Sequence, residues 1–205
     1  MYQPGQFVFY EGHPVLALYI LCSGRVKLSR LTKNGQCRLV SIVDPGELIE
    51  TQSFQDGAVH ALSCESLEPS QVCIIDRTRY LALLEQNGEL AVRVIRLLSR
   101  KMSASFNDTD QFAFASARER IAGLLLELVE RYGEQTQDGT KISLHLKREE
   151  LAQMAAVSVE TAVRILQTLQ STHLIQINGR EITVLDPDRL VRAARKIATT
   201  ISRSS

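Results

Sequence analysis

The 205-residue chain is 44% hydrophobic and 23% charged, lacks Trp and carries a formal net charge of +1. That length allows one large domain or two small ones with cores of their own, and the balanced charge excludes a uniformly basic nucleic-acid binder. No apolar run approaches membrane-spanning length, and the opening MYQPGQFVFY lacks the basic-then-apolar order of a signal peptide, so a cytoplasmic protein with no membrane partner is expected.

From Gln6 to about Asp76 the runs FVFY, LALYILCSG, RVKLSRL, CRLVSIV and SQVCII read as short strands. Pro4-Gly5, Gly24, Asn34-Gly35, Pro45-Gly46, Asp56-Gly57 and Pro69 punctuate them, which suggests a small barrel or jelly roll. Asn34-Gly35 is a hairpin signal, because both residues tolerate positive φ. All four cysteines, Cys22, Cys37, Cys64 and Cys73, lie in this half, with 14, 26 and 8 residues between them. These spacings match no short metal-binding pattern, and buried thiols are the plain expectation in a reducing compartment.

After IIDRTRYLALL the texture changes. Residues 89–114 contain neither Gly nor Pro, and Ala91, Ile95, Leu98, Met102, Ser105, Thr109 and Phe112 recur at alternating steps of four and three. This is coiled-coil spacing and predicts a dimerisation helix over 87–114, with Phe106 counted on the same interface; packing on its own domain is the alternative. The rest runs helix (117–135, stopped by Gly133), strand (KISLHL), helix, turn, helix, then a hairpin joined by Asn178-Gly179. That is the order of a winged helix. The domains are thus read as 1–86, 87–114 and 115–205, in an α+β fold.

Within VSVETAVRIL, Ser158 suits the N-cap of the last of these helices. At 100° per residue Ala162, Ile165, Leu166 and Leu169 form a core-facing stripe, while Glu160, Val163, Arg164 and Gln167 share the opposite side. Leu151, Met154 and Ala155 give the preceding helix its apolar face, and Ala152 and Ala156 permit the close crossing of a helix-turn-helix. In a major groove an Arg forks onto guanine, a carboxylate accepts from cytosine and an apolar group suits a thymine methyl. On a solvated surface Glu160 and Arg164 would instead form an i, i+4 ion pair worth about 0.3–0.5 kcal/mol. Beside a wing, base reading by Glu160, Val163, Arg164 and Val159 is the expectation, with Glu160 also orienting Arg164. Lys147, Arg148, Ser158, Thr161, Gln167, Asn178, Gly179 and Arg180 are placed as phosphate or positioning contacts.

On these residues the chain resembles the Crp/Fnr family of bacterial transcription regulators over nearly its whole length. YQPGQFVFYEGHPVLALYILCSGRVKLSRLTKNGQ resembles the family's β-roll, REELAQMAAVSVETAVRIL its helix-turn-helix and LIQINGREITVLD its wing. The resemblance implies an N-terminal β-roll, a long dimerisation helix and a C-terminal winged helix-turn-helix. It also implies a homodimer on a palindrome with half-sites about 34 Å apart. RNA polymerase is a further partner if the protein activates. Ser158, Glu160, Thr161 and Arg164 match the S-x-E-T-x-x-R of family recognition helices. Val159 stands where the Crp-like branch has Arg, so the helix resembles the Fnr-like branch, and TGA-like half-sites are implied. Two positions depart: Val163 replaces the usual Ser or Gly, and Lys147 replaces a Thr or Ser cap, a loss of about 1 kcal/mol.

The family's cyclic-nucleotide cassette pairs Gly-Glu with a later Arg-Ser or Arg-Thr. Here Gly46-Glu47-Leu48 reads as the turn before it, and Glu50-Thr51 and His60-Ala61 occupy the two motif positions. A buried phosphate would lack its counter-charge and face Glu50, so cyclic AMP is not expected to bind. No iron–sulfur cluster is expected, since the cysteine cluster of oxygen-sensing Fnr proteins has no match, and no haem, since a lone strand histidine such as His60 is usually structural. Cys64 and Cys73 flank ESLEPSQ and would share one face of a hairpin, a redox pair set against two core thiols. An enzyme is not expected, because the roll has only His13 and His60 and no His-x-His pair. Two alternatives stand beside the DNA reader: a redox- or ligand-gated regulator, and a protein-interaction module with a vestigial helix-turn-helix.

Overall fold

The structure is a computed structural model that describes residues 1–32, 35 and 37–194, with side chains described outside 104–114, 193 and 194. Two compact units divide at Asp108/Thr109. The first opens with β1 (Phe7–Phe9), β2 (Ala17–Ser23), β3 (Val26–Leu31), β4 (Cys37–Val43), β5 (Ser63–Ser66) and β6 (Gln71–Asp76). These form a four-stranded sheet in the order β1-β5-β3-β4 and a separate pair β2-β6. Alternation is plain in β3, where Val26 and Leu28 are buried on either side of the half-buried Lys27. Together with Phe9, Leu21, Val43, Ile49 and Cys64 they make the core of the roll. Each large apolar side chain so buried contributes about 1.5–3 kcal/mol.

Gly24 sits at φ +76 between β2 and β3, and a Cβ there would lie 2.4 Å from Ser70 Oγ and 2.5 Å from the Pro69 carbonyl. The turn therefore demands glycine for space as well as conformation. In the β3–β4 hairpin Leu31 pairs with Cys37, and Gly35 lies between them at φ +75; Asn34 lies outside the described residues.

The expected hairpin of the strands around Cys64 and Cys73 does not form. β5 pairs with β1 and β3, whereas β6 pairs with β2. The Ser66 and Ser70 hydroxyls lie 2.9 Å apart and converge on the Glu68 carbonyl, at 2.6 and 2.7 Å. This tight corner around Pro69 carries the chain from one sheet to the other, as strands do at the corners of two-layered β folds. After it, Asp76 caps α1 (Arg77–Gln86) by accepting from the Arg79 amide at 3.0 Å. Asn87 then caps α2 (Gly88–Phe114) through the Leu90 amide. On α2, Ile95 and Met102 are 63% and 60% exposed, and Ala91 and Leu98 are half-buried. The side chains of Ser105, Phe106 and Thr109, placed on the same seam, lie outside the described residues.

The second unit contains α3 (Ala117–Tyr132), β7 (Gly133–Gln135), β8 (Thr140–Ile142), α4 (Arg148–Met154), α5 (Val159–Ser171), β9 (Ile175–Asn178), β10 (Glu181–Val184) and α6 (Pro187–Ala194). A capping box starts α3: Ser116 Oγ accepts from the Glu119 amide, and the Glu119 carboxylate accepts from the Ser116 amide at 2.7 Å. Gly133 ends it as expected. The sheet order is β7-β8-β10-β9, so the strand read in KISLHL belongs to a larger sheet than the hairpin alone. Its first strand, β7, and the helix α6 have no counterpart in the sequence reading. α6 packs on α3 and buries Leu190 completely.

Candidate nucleic-acid interface

The junction between α4 and α5 is built from small residues. Ala152, Ala155 and Ala162 are essentially inaccessible, which lets the helices approach over Leu151, Leu166 and Leu169. Between them Ala156 takes φ +51, a left-handed conformation that costs a non-glycine residue about 1–2 kcal/mol. Arg120 of α3 holds this turn. Its guanidinium donates to the carbonyls of Ala155 at 2.8 Å, Ala156 at 3.2 Å and Ala115 at 3.0 Å. The sequence reading missed Arg120, because nothing in the run ARER separates it from the exposed Arg118.

Ser158 is the N-cap of α5, as expected: its hydroxyl accepts from the Thr161 amide at 3.2 Å and donates to Thr161 Oγ1 at 2.9 Å. Both residues therefore set the start of the helix. Val159, Glu160, Arg164 and Gln167 are exposed, and Val163 is half-buried among them. Among the described residues Glu160 and Arg164 form no ion pair. The Glu160 carboxylate is held below its ordinary range by its own backbone amide and then by Ser158. The helix dipole favours a carboxylate in this first turn as well. The expected orienting contact from Glu160 to Arg164 is therefore not made in this structure.

The wing is the hairpin β9–β10. Glu181 pairs with Asn178, so its two-residue turn is Gly179-Arg180, one position later than Asn178-Gly179 suggested. Gly179 alone in that turn has a positive φ, at +62, and Asn178 closes the strand instead. All three residues are exposed. Arg148 donates to the Gly179 carbonyl at 2.9 Å and is half-buried, so it ties the wing to α4. Lys147 is exposed at the N-cap of α4; its side chain has no acceptor to offer, but the Glu150 carboxylate accepts from its amide at 2.8 Å. Half of a capping box thus survives the loss of the Ser or Thr cap.

Inside the β-roll, the two cassette positions meet. Glu50 Oε1 lies 2.8 Å from His60 Nδ1, with side-chain exposures of 5% and 2%, although the contact is not aligned as a hydrogen bond. The His60 ring stacks on Phe9 at 3.9 Å and 7°, with Tyr19 edge-on at 5.6 Å. Burial raises the Glu50 carboxyl above its ordinary range, and His60 opposes the shift. Gly46-Glu47 is a turn before this pair, as read: Gly46 has φ +86 and Glu47 accepts from the Asp44 amide.

The proposed Cys64–Cys73 pair is overturned. Cys64 is wholly buried in the roll core, where desolvation pushes its thiol well above the ordinary range, while Cys73 is exposed on the other sheet.

Known proteins share both halves. Residues 1–87 match the cyclic nucleotide-binding domain, and residues 119–193 match the Crp-like helix-turn-helix domain. The chain is 28% identical over 191 residues to the CRP-like cAMP-activated global transcriptional regulator of Mycobacterium tuberculosis, covering 93% of this chain and 85% of that one. To the transcriptional activator protein Anr of Pseudomonas protegens it is 28% identical over 190 residues, with coverages of 93% and 78%. Its fold is that of a CRP-family transcriptional regulator from Thermus thermophilus, with a TM-score of 0.80 at 23% identity over 94% and 95% of the two chains. FixK2 from Bradyrhizobium japonicum superposes equally, with a TM-score of 0.80 at 19% identity over 94% of each.

Proposed function

The chain belongs to the Crp/Fnr family of DNA-binding transcription regulators, and from that premise we propose that it reads a palindromic duplex as a homodimer without cyclic AMP. Each protomer places α5 in a major groove. Arg164 forks onto a guanine of a TGA-like half-site, Glu160 accepts from a cytosine amine, and Val159 and Val163 supply apolar contacts. Lys147, Gln167 and the wing residues Asn178 and Arg180 meet phosphates; Ser158, Thr161, Arg148 and Gly179 hold the elements that carry these contacts. The observation that carries the reading is the outward face of α5, where Glu160 and Arg164 stand exposed and mutually unpaired on a helix locked at its start.

Two further observations support the finer points. The exposed Ile95 and Met102 on α2 are large apolar groups that a partner helix would cover. At the cassette positions His60 stands in place of the family's phosphate-neutralising Arg, and the buried Glu50 carboxylate lies 2.8 Å from it, which disfavours an anion there. The cyclic AMP-activated relative in Mycobacterium tuberculosis therefore need not share its effector with this chain.

Selection from a random duplex pool, with reduced and ligand-free protein at one stated moderate salt concentration, tests the proposal. Enrichment of a palindrome with TGA-like half-sites is expected. No enrichment from folded, dimeric protein, with enrichment on adding cyclic AMP, would refute the effector-free reading.

A further inference from the structure

Four thiols are present, and their placement separates them sharply. Cys64 is buried, whereas Cys22, Cys37 and Cys73 are exposed. Cys37 opens β4 in the four-stranded sheet, while Cys22 and Cys73 lie on the two strands of the β2–β6 pair.

The register of that pair brings them to one face. Tyr19 lies opposite Ile74 and Leu21 opposite Val72; Tyr19, Leu21 and Val72 all pack into the roll core. Strand alternation then turns Ile20 and Cys73 away from that core, and Cys22, next to the register slip, is exposed as Cys73 is. Ile20 is directly opposite Cys73, so Cys22 is its diagonal neighbour two residues on. In a regular ladder such diagonals stand about 7–8 Å apart, too far for an easy link. Here the register slips between Leu21 and Ser23, and Cys22 is the extra residue at that bulge, with no partner of its own across the strands. A bulge re-aims its side chain and loosens the local ladder. Ser23–Gln71 is the last rung, so the adjustment falls at the end of the pairing, where it disturbs least. The Cys22 Sγ lies 3.8 Å from the Ile20 carbonyl, on the strand position that faces Cys73.

We propose that Cys22 and Cys73 are a modification site that a hydroperoxide converts to an intrachain disulfide on the outer face of β2–β6. One thiolate attacks the peroxide: an S–O bond forms, the O–O bond breaks, and the alcohol or water leaves with a proton. The second thiolate then attacks the sulfenyl sulfur, forming S–S and breaking S–O, and a second water leaves. Two thiols thus give two electrons to one peroxide, and a thiol reductant reverses the link. The neighbouring Cys22 thiol holds Cys73 above the ordinary thiol range, so the reaction accelerates as pH rises. The site is separate from the α5 face and does not depend on DNA reading.

To test it, reduced full-length protein is treated with hydrogen peroxide, quenched with N-ethylmaleimide, digested without reductant and mapped by mass spectrometry. A Cys22–Cys73 linked peptide pair is expected, with free thiols falling from four per chain to two. The link should vanish with dithiothreitol and in C22S or C73S, and persist in C37S. Folded protein whose Cys22 and Cys73 stay separately alkylated, or are oxidised singly to sulfinic acid, overturns the proposal. A link found only between chains overturns it too.

Discussion

Replacing Arg120 with Met keeps most of the side chain's apolar stem and removes every donor. The guanidinium makes three hydrogen bonds to carbonyls, two in partly buried surroundings and one, to Ala156, exposed. Hydrogen bonds to a charged group contribute about 1.5–3 kcal/mol each, and the exposed one counts for little. Because the bonds share one side chain and do not add in full, a loss of about 3–4 kcal/mol is expected. That is a large part of the roughly 5–15 kcal/mol that holds a typical domain together. It falls on the turn that sets the angle between α4 and α5, so affinity for the selected duplex should fall with it. R120K keeps the charge but cannot span three carbonyls, and should recover about a third of the loss. Guanidinium denaturation followed by circular dichroism, with duplex titration by fluorescence anisotropy, measures both effects. An R120M protein within about 0.5 kcal/mol of wild type would refute the role given to this residue.

A156G removes the strain of φ +51 at some entropic cost in the unfolded chain, for a net gain of up to about 1 kcal/mol by denaturation. A152G, in the buried interior of α4, should instead lose about 1 kcal/mol or more. At Glu50 the folded protein binds its proton more tightly than the unfolded chain, because burial raises the carboxyl above its usual 4.5. The stability of wild type relative to E50Q should therefore fall as pH rises above that value, and a constant difference across denaturation curves would contradict it. I95K buries an ammonium in the proposed α2 seam and should weaken dimerisation by about tenfold or more in sedimentation equilibrium, with the β-roll's circular dichroism unchanged.

The parts legible in the sequence are those whose chemistry is local. The cap at Ser158 and the stripe of Ala162, Leu166 and Leu169 on α5 follow from residues within a few positions of each other. The stop at Gly133 and the turn at Gly46 are likewise local. Pairing is not. ESLEPSQ looks like the loop of a hairpin, but the chain corners at Ser70, whose backbone pairs with the distant Tyr2, and β6 then runs along β2. The same long-range register separates Cys64 from Cys73 and sets Cys22 diagonal to Cys73 instead. The wing turn shifted by one residue because Asn178 is suited both to a turn and to a final strand rung, and the local pattern does not choose. α6 carried a readable sign, Asp186 before Pro187: the Asp186 carboxylate accepts from the Arg189 amide at 2.9 Å, and proline suits the first helical position.

The base-reading role of α5 is tested most directly by scanning every base pair of the selected half-site with wild-type protein and R164A at one salt concentration. The expected result is a loss of about 1–3 kcal/mol on the selected site and of discrimination at one G·C pair, with preferences elsewhere retained. Uniform weakening on all sequences, or no change on any, would contradict the assignment of Arg164 to a base.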